Sequence, residues 1–154
     1  MVSFEDLQSK QEKLCVVGLG YVGLPLAVLL ARHFEVVGFD VSENRVNELK
    51  GGSDHTGEVS STDLQAVNIE YSHDPEIIKS EKFIIVAVPT PIDENKKPDM
   101  SFVERATQTV GQNLSKDCVV VYESTVYPGA TEEVCLPILE SESGLKAGTD
   151  FKIG

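Results

Sequence analysis

Short apolar runs alternate with longer segments of mixed polarity along almost the whole chain. Most of these runs are rich in valine and isoleucine and are apolar at consecutive positions, not at every second one. Such runs are typical of strands that are buried on both faces of a sheet. We predict six strands, at Lys13–Val17, Glu35–Asp40, Asn68–Tyr71, Lys82–Val88, Cys118–Tyr122 and, as a short last strand, Phe151–Gly154.

Helical signals occupy the segments between the predicted strands. An almost entirely apolar segment predicts a well-covered helix over Tyr21–His33. Further helices are predicted to start at Ser42, at Ser61 or Thr62, at Asp74, at Ser101 and at Thr131. Ser101 and Glu104 form a capping-box pattern, so Ser101 is expected to be the N-cap of its helix.

This alternation predicts an α/β fold: a Rossmann-type doubly wound parallel sheet of strand order 3-2-1-4-5, with a truncated sixth strand. Residues 1–12 are polar and are expected to form an N-terminal arm or short helix, while residues 13–154 form the domain. Ligands of such sheets bind beyond the carboxyl ends of the strands. Four loops are therefore expected to meet there: Gly18–Gly23, Asp40–Arg45, Val88–Ile92 and Glu123–Gly129.

The first of these loops carries the pattern Gly18-x-Gly20-x-x-Gly23 between a strand and a helix. In a dinucleotide site the first glycine permits a sharp turn, the second lets the pyrophosphate approach, and the third lets the helix pack closely. Asp40 ends the next strand, near the spacing of about 20 residues at which an acid binds the adenosine ribose. A tight turn beside a solvated Asp40 is the alternative interpretation.

The same acid bears on the choice of cofactor. The Asp40 carboxylate would repel a 2′-phosphate and accept hydrogen bonds from ribose hydroxyls, so the sequence favours NAD over NADP. Arg45 follows closely but is a single cation beside an intact acid, and it does not reverse this prediction. Arg45 has a structural alternative as well, an ion pair with Glu48 on the surface of the same helix.

Composition excludes several other classes of function. The formal net charge is −12 and the basic residues do not cluster, which argues against a nucleic-acid or anionic-membrane surface. The sequence has no signal-peptide pattern and no apolar stretch of about 18 residues. The three cysteines form no CxxC motif, and Cys15 and Cys118 lie in strands, which predicts reduced thiols and a cytoplasmic protein. The histidines are scattered, so no metal site is expected.

Four segments, in order, resemble the N-terminal NAD-binding domain of the UDP-glucose/GDP-mannose dehydrogenase family, the nucleotide-sugar 6-dehydrogenases. They read VGLGYVGLPLA at 17–27, GFDVSENRV at 38–46, VAVPTP at 86–91 and ESTVYPGAT at 123–131. The last two are most similar to the branch that oxidises UDP-N-acetylhexosamines for polysaccharide biosynthesis. The resemblance extends over residues 12–154.

The resemblance implies a reaction, a set of contacts and partners. Members of the family oxidise the C6 alcohol of a UDP-sugar to the uronate in two NAD-dependent steps, through a thiohemiacetal on a catalytic cysteine. The matching positions imply cofactor contacts from Gly18, Gly20, Tyr21, Val22, Gly23, Asp40, Arg45, Val88, Pro89, Thr90, Pro91, Ser124 and Thr125. Thr125 is implied to have a supporting catalytic role in positioning a water. The implied partners are the UDP-sugar and, for the full-length protein, a second copy in a homodimer.

The catalytic half of the family does not occur in this sequence. The family's nucleophile lies in a Gly-x-Gly-Gly-x-Cys-type motif that is absent here, and neither Cys118 nor Cys135 has an adjacent base. We therefore expect a fragment that binds the cofactor, lacks the catalytic and sugar-binding domains, and is inactive alone.

Alternatives stay open at both the functional and the residue level. A non-enzymatic nucleotide-sensing Rossmann module would share the glycine pattern but would not need the loops after strands 4 and 5. A dehydrogenase of the 6-phosphogluconate or hydroxyacyl type should have a different loop after strand 4. Thr90 and Thr125 could simply cap loops. Tyr21 could be an aromatic at the solvent edge, and Glu123 could be a base or a solvated carboxylate.

Overall fold

Six parallel strands form one sheet in the order β3-β2-β1-β4-β5-β6. The computed structural model describes residues 1–154. The strands are β1 (Leu14–Val17), β2 (Val36–Phe39), β3 (Ile69–Ser72), β4 (Phe83–Val86), β5 (Cys118–Tyr122) and β6 (Phe151–Ile153). Each neighbouring pair is parallel, so the predicted doubly wound sheet with its short sixth strand is confirmed.

Helices cover both faces of this sheet. They are α1 (Phe4–Gln8), α2 (Gly23–Ala31), α3 (Glu43–Lys50), α4 (Ser61–Gln65), α5 (Ser101–Gln112) and α6 (Leu136–Ser143), with a 3₁₀ helix at Pro75–Ser80. Alternate residues of β1 enter different cores: Leu14 and Val16 pack with α1 to α4, whereas Cys15 and Val17 pack with α5 and α6. The strand is buried on both faces, as its unbroken apolar run predicts. None of the helices combines the length and apolarity that crossing a bilayer requires.

Two predicted helix caps are wrong. Ser101 is the first helical residue of α5 and not its cap, because the Asp99 carboxylate accepts the Ser101 N–H at 3.0 Å. A carboxylate is a stronger acceptor than the serine hydroxyl that the capping-box pattern suggested. Helix α4 is capped by Ser60, one residue before the predicted start, and its Oγ accepts the Asp63 N–H at 3.1 Å. Ser60 is of the same residue class as the predicted caps Ser61 and Thr62, and residue type alone does not rank them.

The last helix has a form that was not predicted. In place of one continuous α-helix from Thr131, the chain forms a π-helical turn over Thr131–Cys135 before α6 begins. Pro137 lies at the start of α6 and has no N–H to donate to the carbonyl of Glu133, while its ring excludes that carbonyl. The wider turn just before the proline accommodates this ring.

Candidate functional site

The three glycines of the loop after β1 differ in what surrounds them. Gly18 has φ +94°, and a Cβ there would lie 2.9 Å from Val88 Cγ1. A Cβ on Gly23 would lie 1.7 Å from the carbonyl oxygen of Gly18, so the start of α2 can approach the turn only with glycine at this position. A Cβ on Gly20 would meet no protein atom within 4 Å. The fold therefore needs Gly18 and Gly23, while the space beside Gly20 is open to a ligand.

Three unpaired backbone N–H groups belong to Gly20 and the two residues that follow it. Helix α2 begins at Gly23, two residues later than predicted, and the N–H groups of Gly20, Tyr21 and Val22 have no acceptor within the protein. The first turn of α2 carries no acidic residue. Unpaired N–H groups at the positive end of a helix dipole form a cradle that favours a phosphate or another anion.

Asp40 lies across from this cradle, at the carboxyl end of β2. Its Oδ2 accepts the Leu19 N–H at 2.9 Å and its Oδ1 accepts the Ser42 N–H at 2.9 Å. The carboxylate is half-buried and is held by two N–H groups, so it is not the freely solvated strand end of the alternative interpretation. Its remaining lone pairs are free for further donors such as hydroxyl groups.

Two adjoining cavities extend along the carboxyl edge of the sheet. The β2-side cavity, about 290 Å³, lies among the ends of β1, β2 and β4 and the first turns of α5, and Asp40 is in its wall. The β5-side cavity, about 140 Å³, lies between the glycine loop and the loops after β4 and β5. Both are lined by Gly20 and by Ala87, Val88 and Pro89, so they meet at the glycine loop. An elongated ligand crossing Gly20 could occupy both.

The two loops that close the β5-side cavity are tied to each other by hydroxyl groups. Ser124 Oγ donates to the Val88 carbonyl at 2.7 Å, and Thr90 Oγ1 donates to the Thr125 carbonyl at 2.5 Å. These bonds hold the loop after β4 against the loop after β5. The wall of the cavity is thus held by hydrogen bonds within the protein.

Comparison with known proteins identifies the family. Residues 12–154 match the UDP-glucose/GDP-mannose dehydrogenase family, NAD binding domain. The chain belongs to this family. It is an NAD-binding domain.

Several relatives are similar over nearly the whole of this domain. Protein CapL of Staphylococcus aureus is 53% identical over 92% of the chain, which covers 33% of that protein. A UDP-N-acetyl-D-glucosamine 6-dehydrogenase of Pseudomonas aeruginosa is 47% identical over 94% of the chain, which covers 35% of that protein. The chain therefore spans about a third of the length of the curated relatives it matches.

Solved structures show the same fold. A UDP-D-ManNAc dehydrogenase from Pyrococcus horikoshii superposes with a TM-score of 0.84 at 32% identity, over 92% of this chain and 35% of that one. A ternary complex of GDP-mannose dehydrogenase from Pseudomonas aeruginosa superposes with a TM-score of 0.83 at 29% identity, over 91% of this chain and 34% of that one.

Most residues predicted to contact the cofactor line the two cavities of the NAD-binding domain. Ten do so: Gly18, Gly20, Tyr21, Val22, Asp40, Val88, Pro89, Thr90, Ser124 and Thr125. Three do not. Gly23 lies beneath the turn, Pro91 accepts the Asp99 N–H at the base of the hairpin after β4, and Arg45 lies behind the glycine loop.

Arg45 is buried, not at the surface as its structural alternative assumed. Its predicted pair with Glu48 is present at 3.1 Å. Its Nε also donates to the Leu19 carbonyl at 2.8 Å, and its Nη2 lies 2.8 Å from the carboxylate of Asp54, as an ion pair without an aligned hydrogen bond. The guanidinium is thus surrounded by protein acceptors and only 7% exposed.

Sequence reasoning missed the α5 wall of the β2-side cavity. Phe102, Arg105 and Ala106 line it, opposite Val41. Val41 is 80% exposed and Phe102 is 43% exposed, which is unusual for large apolar side chains and leaves apolar surface for a flat ring to cover. The three α5 residues are spaced so that they lie on one face of the helix, and α5 follows β4. These two signals could have identified them from the sequence.

The domain offers binding groups but no activated nucleophile. Burial raises the pKa of the Cys15 thiol and of the Cys135 thiol, so both stay protonated at neutral pH. Cys118 is also buried, in the core beneath α5 and α6. No group of three His, Cys, Asp or Glu side chains is arranged to hold a metal ion. The chemistry of the site is that of holding and orienting a ligand.

Proposed function

We propose that this chain is the NAD-binding part of a nucleotide-sugar 6-dehydrogenase, which oxidises the C6 alcohol of a UDP-sugar to the uronate. The observation that carries the proposal is the open space at Gly20, bordered by three unpaired N–H groups and facing the Asp40 carboxylate. The similarity to a UDP-N-acetyl-D-glucosamine 6-dehydrogenase supports a UDP-N-acetylhexosamine as the substrate class.

The two cavities differ in a way that matches the two halves of NAD. The larger β2-side cavity, with Asp40 and the apolar side chains of Val41 and Phe102, suits the adenosine. The cradle at Gly20 suits the pyrophosphate, and the β5-side cavity suits the nicotinamide. Bound there, NAD would accept a hydride from the sugar carbon. Asp40 selects NAD because a 2′-phosphate would be brought against its negative charge.

Thr125 is proposed as a supporting residue at the nicotinamide end. Its carbonyl is held by Thr90, and its side chain is exposed in the wall of the β5-side cavity. It is therefore available to position a water there. The catalytic cysteine, the sugar site and a homodimer interface are proposed to belong to the part of the relatives' length that this chain does not span, and the protein is proposed to be cytoplasmic.

Calorimetric titration with NADH and NADPH tests the cofactor assignment. We expect NADH to bind more tightly than NADPH, and the substitution Asp40→Ala to narrow the difference, since it removes the charge that repels the 2′-phosphate. Equal affinity of the unsubstituted chain for both would contradict the NAD assignment. Binding of neither would contradict the proposed function.

A turnover assay tests the expectation that the chain lacks the chemistry. With NAD and a UDP-N-acetylhexosamine, the chain alone should form no NADH, because the sugar site is proposed to lie outside the length that this chain spans and its three thiols are buried. NADH formation above the rate without enzyme would contradict this expectation.

A further inference from the structure

The peptides on the two sides of Leu19 are each held by a group outside the glycine loop. The Leu19 N–H donates to Asp40 Oδ2 at 2.9 Å, and the Leu19 carbonyl accepts from Arg45 Nε at 2.8 Å. Arg45 does not line either cavity, so its contact with the loop is made from behind. The conformation of the cradle thus depends on where this guanidinium is held.

The guanidinium is held by a carboxylate with no solvent exposure. The Asp54 side chain is 0% exposed, and its Oδ1 lies 2.8 Å from Arg45 Nη2. The same carboxylate accepts four hydrogen bonds from its own loop, from Thr56 N, Thr56 Oγ1, Glu58 N and Val59 N, at 2.7 to 3.1 Å. Burial raises the pKa of Asp54, but these bonds and Arg45 outweigh burial and lower it to about 2. Asp54 therefore stays ionised and anchors Arg45.

Orientation of the Leu19 carbonyl decides the orientation of the Gly20 N–H. The chain contains no cis peptide bond, and in a planar trans peptide the carbonyl and the N–H point in opposite directions. Because Arg45 draws the carbonyl of Leu19 backwards, the N–H of Gly20 is directed to the opposite side, where no protein atom accepts it. If this peptide flipped, it would present an oxygen in place of a donor, and an oxygen repels phosphate.

We propose that Asp54 is a positioning residue for cofactor binding: through Arg45 it keeps the Leu19–Gly20 peptide in the orientation that presents the Gly20 N–H to the pyrophosphate. This inference rests on the proposed function. It assigns Arg45 and Asp54 a role in recognition of the pyrophosphate. Both residues act through the backbone of the glycine loop, and neither needs to contact the cofactor.

The test compares ligands that contain a pyrophosphate with one that does not. Asp54→Asn and Arg45→Lys would each be titrated with NADH and ADP-ribose by calorimetry, and with adenosine by protein NMR. We expect both variants to bind NADH and ADP-ribose about tenfold more weakly, which is about 1.4 kcal/mol. Adenosine binding should change less than twofold, since adenosine makes no use of the Gly20 N–H. A general loosening of the fold would instead weaken the binding of all three ligands.

Asp63→Asn is the matched control. It breaks another arginine–aspartate pair, Arg32–Asp63, whose side chains are half exposed and remote from the cradle, and it should leave all three affinities unchanged. If Asp54→Asn does not fold, Arg45→Lys decides, because lysine keeps a cation beside Asp54 but loses the Nε donor to Leu19. Equal losses for all three ligands, or no loss for any, would overturn the inference alone. Failure of the unsubstituted chain to bind NADH and ADP-ribose would overturn the proposed function as well.

Discussion

Gly23→Ala is predicted to lower the stability of the domain, whereas Gly20→Ala is predicted to lower its affinity for NADH. At Gly23 the new Cβ would lie 1.7 Å from the Gly18 carbonyl oxygen, so α2 and the turn must separate by well over 1 Å. The obstacle is backbone and cannot rotate away. Overpacking of this kind destabilises the fold by about 3 kcal/mol. About 1 kcal/mol of this is offset because alanine has a higher helix propensity than glycine. The net loss of about 2 kcal/mol corresponds to a fall in Tm of about 4–8 °C for a domain of this size.

At Gly20 the same methyl group meets no protein atom within 4 Å, and φ is not in the left-handed region. The free energy of unfolding should therefore change by less than about 0.5 kcal/mol. The methyl group would instead stand in the space assigned to the pyrophosphate. Affinity for NADH should fall at least tenfold, or about 1.4 kcal/mol.

Thermal unfolding followed by circular dichroism and calorimetric titration with NADH measure the two effects on both variants. The two alanines are three residues apart in one loop, so each is the other's control. Unweakened NADH binding by Gly20→Ala would refute the placement of the pyrophosphate. An unchanged Tm for Gly23→Ala would refute the packing argument.

Two further predictions concern side chains around the site. Arg105 lines the β2-side cavity and takes part in none of the salt bridges of the chain, so it is free to lie against an adenine ring. Arg105→Ala should weaken the binding of both NADH and adenosine about two- to fivefold in the same titrations, as expected for an exposed cation–π contact, and unchanged adenosine binding would refute this. Because the folded-state pKa of Asp54 is about 2 and its ordinary value is 3.8, its ionisation stabilises the fold above about pH 4, and this contribution, about 2 kcal/mol, is lost as the pH falls toward 2. The Tm of Asp54→Asn should therefore fall less steeply between about pH 4 and pH 2 than that of the unsubstituted chain, and parallel Tm curves would contradict the assignment.

Much of the fold was determined locally and could be predicted. A run such as Leu14–Val17 is apolar at consecutive positions, and only a strand covered on both faces buries all of it. Once parallel strands alternate with helices, the connections force the carboxyl ends to one edge, which is why the predicted loops do meet there. The role of the glycine pattern could be predicted as well, because few structural roles require three glycines at that spacing between a strand and a helix.

Other features depend on competition between groups that are distant in the chain or equivalent in type. Ser101 had the right pattern for a cap, yet Asp99 is the better acceptor and takes the N–H. Arg45 was expected at a surface or on a ribose, and its burial depends on Asp54, which belongs to a polar loop with no periodicity to interpret. The π-helical turn before α6 likewise follows from how one proline ring is accommodated against the preceding turn.

The sequence by itself determined which runs form strands, the edge of the sheet at which their loops meet, and the glycines that make room for a ligand, since burial of apolar runs and backbone sterics act over a few residues. Only the tertiary structure decided which groups hold that site in shape. Asp40, Arg45 and the first turns of α5 come together because the sheet brings their elements to one edge, and hydrogen-bond directions between them exist only once the chain is folded.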